Sequence, residues 1–346
     1  MHDPMSDDFP PPQERETVVG RGALEADLRK ALGEGSISNG WLITGPKGAG
    51  KATLAFRLAR AFLDPKALSD ASSLQMSASV RTFRQVAAGA HPDLFVARRE
   101  YDEKNERYQT EIPVETARGL SAFFSRTAAG GGWRVAIVDA ADDLNRNAAN
   151  ALLKTLEEPP ARAVLLLVAH APGRLLATIR SRCRRIELRP LADEDVAALL
   201  AAEAGLDQPT ARAIAAAARG RPGYALTLAA GEGGEAIAQV ERFLADATRT
   251  GDTGAVAAAL SGKAALSRWE IFQDLVLERV SDAARAHARN TALKGPLGAL
   301  SAPVLFAAHD RMASLARRGD ALNLDRRDLI LAMGRALHAS MARAAS

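Results

Sequence analysis

Gly45-Pro46-Lys47-Gly48-Ala49-Gly50-Lys51-Ala52 places its glycines and Lys51 in the spacing G-x-x-x-x-G-K, which builds a phosphate cradle between a strand and a helix. In such a loop the glycines let successive backbone N–H groups turn inward around phosphate oxygens. The positive end of the following helix adds to the attraction. Lys51 is the side chain that would reach the outer phosphates of ATP or ADP. Gly45, Gly48, Gly50 and Lys51 are therefore candidate nucleotide-binding residues. A working site carries a Ser or Thr hydroxyl at the next position to hold Mg²⁺, but here that residue is Ala52. Thr53 lies one position on, about 100° around a helix, and does not substitute. A second acid belongs to the same site. The apolar run Val135-Ala136-Ile137-Val138 delivers Asp139 to a strand end, where a carboxylate would steady the metal. These residues predict a cradle that can bind ATP or ADP weakly without hydrolysing it.

The elements that must hold these residues alternate in type. Trp41-Leu42-Ile43-Thr44 is a short apolar run that ends at the loop, and Leu54, Leu58, Ala61 and Phe62 recur behind it at helical spacing. Further strands are predicted at 94–97, 135–138, 164–168 and 186–188. Helices are predicted at 114–129 and around the stripe Ala149, Leu152, Leu153 and Leu156, which Pro159-Pro160 ends. Strands separated by helices imply a mostly parallel sheet covered on both faces. Beyond Leu191 strand signals vanish. One helical stripe there is Trp269, Phe272, Val276 and Val280; another segment holds Leu324, Leu329 and Leu331.

The expected organisation is a disordered tail over residues 1–16, an α/β P-loop core of the RecA-like type over 17–190, a helical lid over 191–231 and an all-α domain over 232–346. Gly231–Gly234 would be the linker. The chain of 346 residues carries 47% hydrophobic and 25% charged residues, enough for sizeable cores. Its net charge of +4 permits contact with nucleic acid without arguing for it. The single cysteine, Cys183, excludes an internal disulfide and a multi-cysteine zinc site. No signal-peptide pattern or membrane-length apolar run is present, so a soluble cytoplasmic protein without membrane contact is expected.

Three stretches carry a resemblance. Asp139-Ala140-Ala141-Asp142, the run Asn147-Ala148-Ala149-Asn150-Ala151-Leu152-Leu153-Lys154-Thr155-Leu156-Glu157-Glu158-Pro159-Pro160, and Ile179-Arg180-Ser181-Arg182-Cys183 together resemble the bacterial AAA+ clamp-loader family of DNA polymerase III. His91-Pro92-Asp93-Leu94 is similar to its delta-prime branch. The resemblance spans roughly residues 17–230 and implies a RecA-like core, a helical lid and a C-terminal collar that oligomerises. It also implies work beside gamma/tau and delta subunits in loading a sliding clamp onto primer-template DNA. Arg182, in the Ser-Arg-Cys motif, would act in trans as the arginine finger of a neighbour's site; the competing expectation is an arginine paired with a nearby carboxylate of its own chain.

Where family motors carry a catalytic glutamate this chain has Ala140, and where they carry a sensor arginine it has Gly223. With Ala52 this makes three losses in one site and implies a subunit without ATPase chemistry. The competing expectations are a gamma/tau-like motor, which those positions argue against, and a free nucleic-acid-binding protein. Many relatives carry a four-cysteine zinc module between the P-loop helix and His-Pro-Asp. The span 64–90 here has no cysteine, so no zinc and no required cofactor are expected. The family's sensor position after the fourth strand falls at Ala169-His170, and His170 is expected to be a surface residue rather than a catalytic one. Among Arg180, Arg182, Arg184, Arg185 and Arg189, only one is expected to serve an interface.

Overall fold

The computed structural model describes residues 9–34, 38–99, 101–102, 107–109, 111–126, 128, 131–230, 233–262, 265–291, 293, 295–322 and 324–342. The chain divides into two compact units, Met1–Leu226 and Thr227–Ser346.

The first unit begins with α1 (Gly22–Gly33), β1 (Gly40–Thr44), α2 (Lys51–Leu63), α3 (Arg81–Ala87) and β2 (Leu94–Arg98). A small antiparallel pair follows, β3 (Tyr101–Asp102) and β4 (Arg107–Tyr108), which the sequence pattern does not signal. Then come α4 (Val114–Ser125), β5 (Arg134–Asp139), α5 (Arg146–Glu157), β6 (Ala163–Ala169), α6 (Ala177–Arg182) and β7 (Arg184–Glu187). The five-stranded sheet has the order β2-β5-β6-β1-β7, parallel throughout. Adjacent side chains of a strand point to opposite faces. Trp41, Ile43, Val135, Ile137, Val164, Leu166 and Val168 therefore pack with Leu54, Leu58 and Phe62 on one side. Leu42, Ala136, Val138, Leu165 and Leu167 pack with Leu120, Leu152 and Leu156 on the other. Apolar residues on both faces are what make these strands read as unbroken apolar runs. This is an α/β fold with a parallel sheet, and the phosphate-loop motif lies between β1 and α2.

Helix α4 stops at Ser125, short of the predicted 129. The Arg134 guanidinium donates to the carbonyls of Phe124 and Arg126 and so caps the helix end. Composition predicts a disordered tail through residue 16. Residues 1–8 lie outside the described residues, but Pro12–Glu14 form a 3₁₀ turn held against α2 and α3. Buried Arg60 donates to the carbonyls of Gln13 (2.9 Å) and Arg15 (2.6 Å) and stacks 4.3 Å from the Phe83 ring centroid. Backbone carbonyls thus satisfy a buried cation, a signal invisible in composition.

Helices α7 (Asp193–Ala204), α8 (Gln208–Ala218) and α9 (Pro222–Ala229) fill the expected lid. Residues up to Leu226 belong to the first compact unit. Leu191 N–H bonds Gly220 O at 2.8 Å, and Arg15 reaches Glu203 on α7 at 2.8 Å.

The second unit is all-helical: α10 (Gly233–Arg249), α11 (Gly254–Leu260), α12 (Leu266–Ala288), α13 (Ala302–Leu322) and α14 (Arg326–Ala342). Trp269, Phe272, Val276 and Val280 are all buried, and Phe243 meets Phe272 edge-on at 5.3 Å. The last helix buries Leu329, Ile330, Met333 and Leu337; Leu324 precedes it and is exposed. Of the expected glycine linker, residues 231 and 232 lie outside the described residues, whereas Gly233 and Gly234 open α10. No helix among the described residues is long and apolar enough to cross a membrane.

A candidate phosphate site and an exposed arginine

Strand β1 hands the chain to the loop 45–50, and α2 leaves it. Gly48 has φ +81, and a Cβ there would stand 2.7 Å from Tyr224 N, so only glycine fits. Lys51 opens α2, is buried, and donates from Nζ to Gly45 O (2.8 Å) and Pro46 O (2.7 Å). Burial pulls its pKa down to about 8, while the carboxylates of Asp139 and Asp142 oppose the shift. The candidate set Gly45, Gly48, Gly50, Lys51 and Asp139 is therefore brought to one place, at the C-terminal edge of the sheet.

Asp139 ends β5, and burial raises its pKa, with Lys51 pulling the other way. Ala52 and Ala140 offer no hydroxyl and no base. Thr53 is buried in the core behind the loop and does not replace the missing ligand.

Asp142 has a role that sequence reasoning missed. It is buried and accepts the N–H groups of His170 and Ala171, each at 2.9 Å. One carboxylate thereby fixes the chain where it leaves β6. His170 at that position is exposed by surface area, yet its imidazole is desolvated enough that burial pulls its pKa down to about 4.

Gly223, at the sensor-arginine position, donates its N–H to Gly48 O at 2.8 Å. A Cβ at Gly223 would stand 3.1 Å from that oxygen. The first turn of α9 thus meets the phosphate loop directly, and a side chain at 223 would require the loop to give by a few tenths of an ångström. Arg221 lies before α9. It is buried, donates from Nε to Ala218 O at 2.8 Å and covers the Tyr224 ring at 4.2 Å.

Arg182 sits elsewhere, at the last position of α6. Its Nη1 donates to Thr178 O at 3.1 Å, and its Nη2 lies 2.9 Å from Glu157 Oε1 at the end of α5. The sequence leaves open whether Glu157 meets a cation across a subunit joint or is simply solvated; within this chain it pairs with Arg182. The neighbouring arginines are anchored one by one. Arg180 donates to Pro172 O, Arg184 lies 4.8 Å from the Trp41 ring centroid, and Arg185 donates to Thr44 Oγ1. Cys183 is half-buried, and burial pushes its thiol up to about 11, as befits a packing residue. His91 accepts the Asp93 N–H through Nδ1 at 3.2 Å, so His-Pro-Asp forms the turn that launches β2. No cluster of metal-ligating residues occurs among the described residues.

A family model described as DNA polymerase III, delta subunit, matches residues 20–192. The DNA polymerase III subunit delta' of Pseudomonas aeruginosa is 40% identical over 151 residues, covering 44% of this chain and 43% of that protein. The subunit delta' of Escherichia coli (strain K12) is 34% identical over 191 residues, covering 55% of each. This chain thus spans about half the length of the curated relatives it matches. A solved DNA polymerase III gamma subunit-related protein of Thermotoga maritima is similar at 14% identity and a TM-score of 0.40, covering 91% of this chain and 98% of that one.

Proposed function

The chain belongs to the DNA polymerase III delta-subunit family, and from that premise we propose that it is the ATPase-silent delta-prime subunit of a clamp loader. In this role it works with gamma/tau and delta subunits to place a sliding clamp on primer-template DNA. It contributes no hydrolysis of its own and supplies Arg182 to a neighbour's site.

The observation that carries the reading is what surrounds Lys51 at the cradle. A motor needs that lysine on the outer phosphates, a hydroxyl and a carboxylate around Mg²⁺, and a base for the attacking water. Ala52 and Ala140 remove the hydroxyl and the base, and Gly223 has no side chain at the position where the resemblance would put a sensor arginine. Weak nucleotide binding by the backbone remains compatible with this arrangement. Ala52 and Ala140 argue against hydrolysis.

The helices of the second unit are the proposed collar. Co-expressed with gamma/tau and delta subunits, the full chain is expected to elute with them as one complex in size-exclusion runs. A chain lacking residues 232–346 is expected to elute apart from them. A full chain that stays alone, or a shortened chain that associates fully, would contradict the assignment.

A further inference from the structure

We propose that Glu157 is a positioning residue for Arg182, holding the guanidinium ready for a neighbouring subunit's phosphate; this rests on the arginine-finger reading above. An acid at the end of α5 is in an unfavourable place, because the carbonyl end of a helix repels anions. Glu157 occupies it nonetheless, with Oε1 2.9 Å from Arg182 Nη2. The other terminal nitrogen, Nη1, donates to Thr178 O within α6 at 3.1 Å. One guanidinium is therefore tied at both ends of its fork, once to its own helix and once to the next. Its remaining N–H donors are left for another acceptor. Without these ties, a long side chain on the surface would sample many rotamers and lose that freedom only on engaging phosphate.

The exposure of the pair sets the size of the effect. The side chains are 38% and 47% exposed, so the arginine is accessible to another chain and the tie is a weak one. Exposed ion pairs of this kind shift an equilibrium by no more than about five-fold. Glu157 is thus a modest contributor beside the arginine itself, and it acts only through it.

The test is single-turnover ATP hydrolysis by the reconstituted clamp-loader complex, with DNA and clamp present, carrying Glu157→Ala, Glu157→Gln, Arg182→Ala or the double change Glu157→Ala/Arg182→Ala. Glu157→Ala is expected to slow the site served by this chain about two- to five-fold, with the KM for ATP unchanged. The deficit should shrink as salt rises and screens the pair. Glu157→Gln keeps a carbonyl acceptor and should lie nearer the parent. In the Arg182→Ala background, Glu157→Ala should have no further effect, which a general structural role would not produce. Hydrolysis by Glu157→Ala as fast as the parent or faster overturns the proposal, and so does an equal loss in the Arg182→Ala background. If Arg182→Ala alone hydrolyses like the parent, the finger reading fails and Glu157 falls with it. That outcome is distinct from one in which Arg182 matters and Glu157 does not.

Discussion

Arg182→Ala is expected to slow one hydrolysis site of the assembled clamp loader by about 10³- to 10⁵-fold, while the subunit stays folded and in place. A transferring phosphoryl group spreads charge over its oxygens, and a planar, permanently charged guanidinium can hold two of them at once. Arg182 ends α6 with its side chain exposed, and among the described residues it is tied to the Thr178 backbone carbonyl and the exposed Glu157. Losing such a surface pair costs the fold about 0–1 kcal/mol. The rate loss corresponds to roughly 4–7 kcal/mol at the reacting site. The two consequences therefore separate cleanly: the melting temperature of the isolated chain should barely move, and stimulated ATPase of the complex should fall by one site's share. Arg182→Lys should rescue poorly, because an ammonium lacks the fork. A complex carrying Arg182→Ala that hydrolyses ATP and loads clamps like the parent would refute the role.

The largest effect on stability is expected at Glu25. Its carboxylate, on α1, receives Arg57 of α2 through both oxygens, Nε–Oε1 at 2.6 Å and Nη2–Oε2 at 2.8 Å. The side chains are 6% and 1% exposed, so water cannot replace either partner. Glu25→Ala strands a buried guanidinium, a loss of about 3–5 kcal/mol. In a unit of this size that lowers the melting temperature by on the order of 10 °C. Replacing both residues with apolar ones of similar volume, Glu25→Leu with Arg57→Met, should recover most of the loss, because it removes the unpaired charge as well as the pair. A Glu25→Ala chain within about 1 kcal/mol of the parent in urea unfolding would show that the pair does not hold α1 to the core, since breaking a buried pair ordinarily costs several times that.

How legible this was depends on the range of each interaction. The sheet strands announce themselves because burial on both faces demands unbroken apolar runs, as in Val135–Val138 and Val164–Val168. The cradle is legible because its chemistry needs adjacent residues: Gly48, Gly50 and Lys51 act through one turn of backbone. The contacts that close it are not legible. Gly223 meets Gly48 across the whole sheet's length of sequence, and nothing local to either glycine names the other. The same holds for Asp142, whose partners are backbone N–H groups of His170 and Ala171 and so leave no trace in residue type. Arg57 and Arg60 lie on a helix that is buried nearly all round, where charge patterning would suggest a solvated face. Residues 9–16 look like a tail because prolines and acids dominate them, yet their carbonyls serve Arg60. In the second unit the helices were legible from alanine content and aromatic spacing. The exact stripe of α14 was not, since Leu324 precedes the helix and is exposed.

The central claim is that this subunit's own phosphate site is idle while the complex depends on its arginine. Phosphate release by the reconstituted clamp loader carrying Lys51→Ala in this chain tests it most directly. Lys51 is the one side chain that any hydrolysis at this cradle would require, and here it is bound to Gly45 O and Pro46 O. The expected result is DNA- and clamp-stimulated turnover equal to the parent's, with no turnover by the isolated chain before or after the substitution. Turnover by the isolated chain that disappears on Lys51→Ala, or a complex that loses a site's share of hydrolysis through that substitution, would contradict the account.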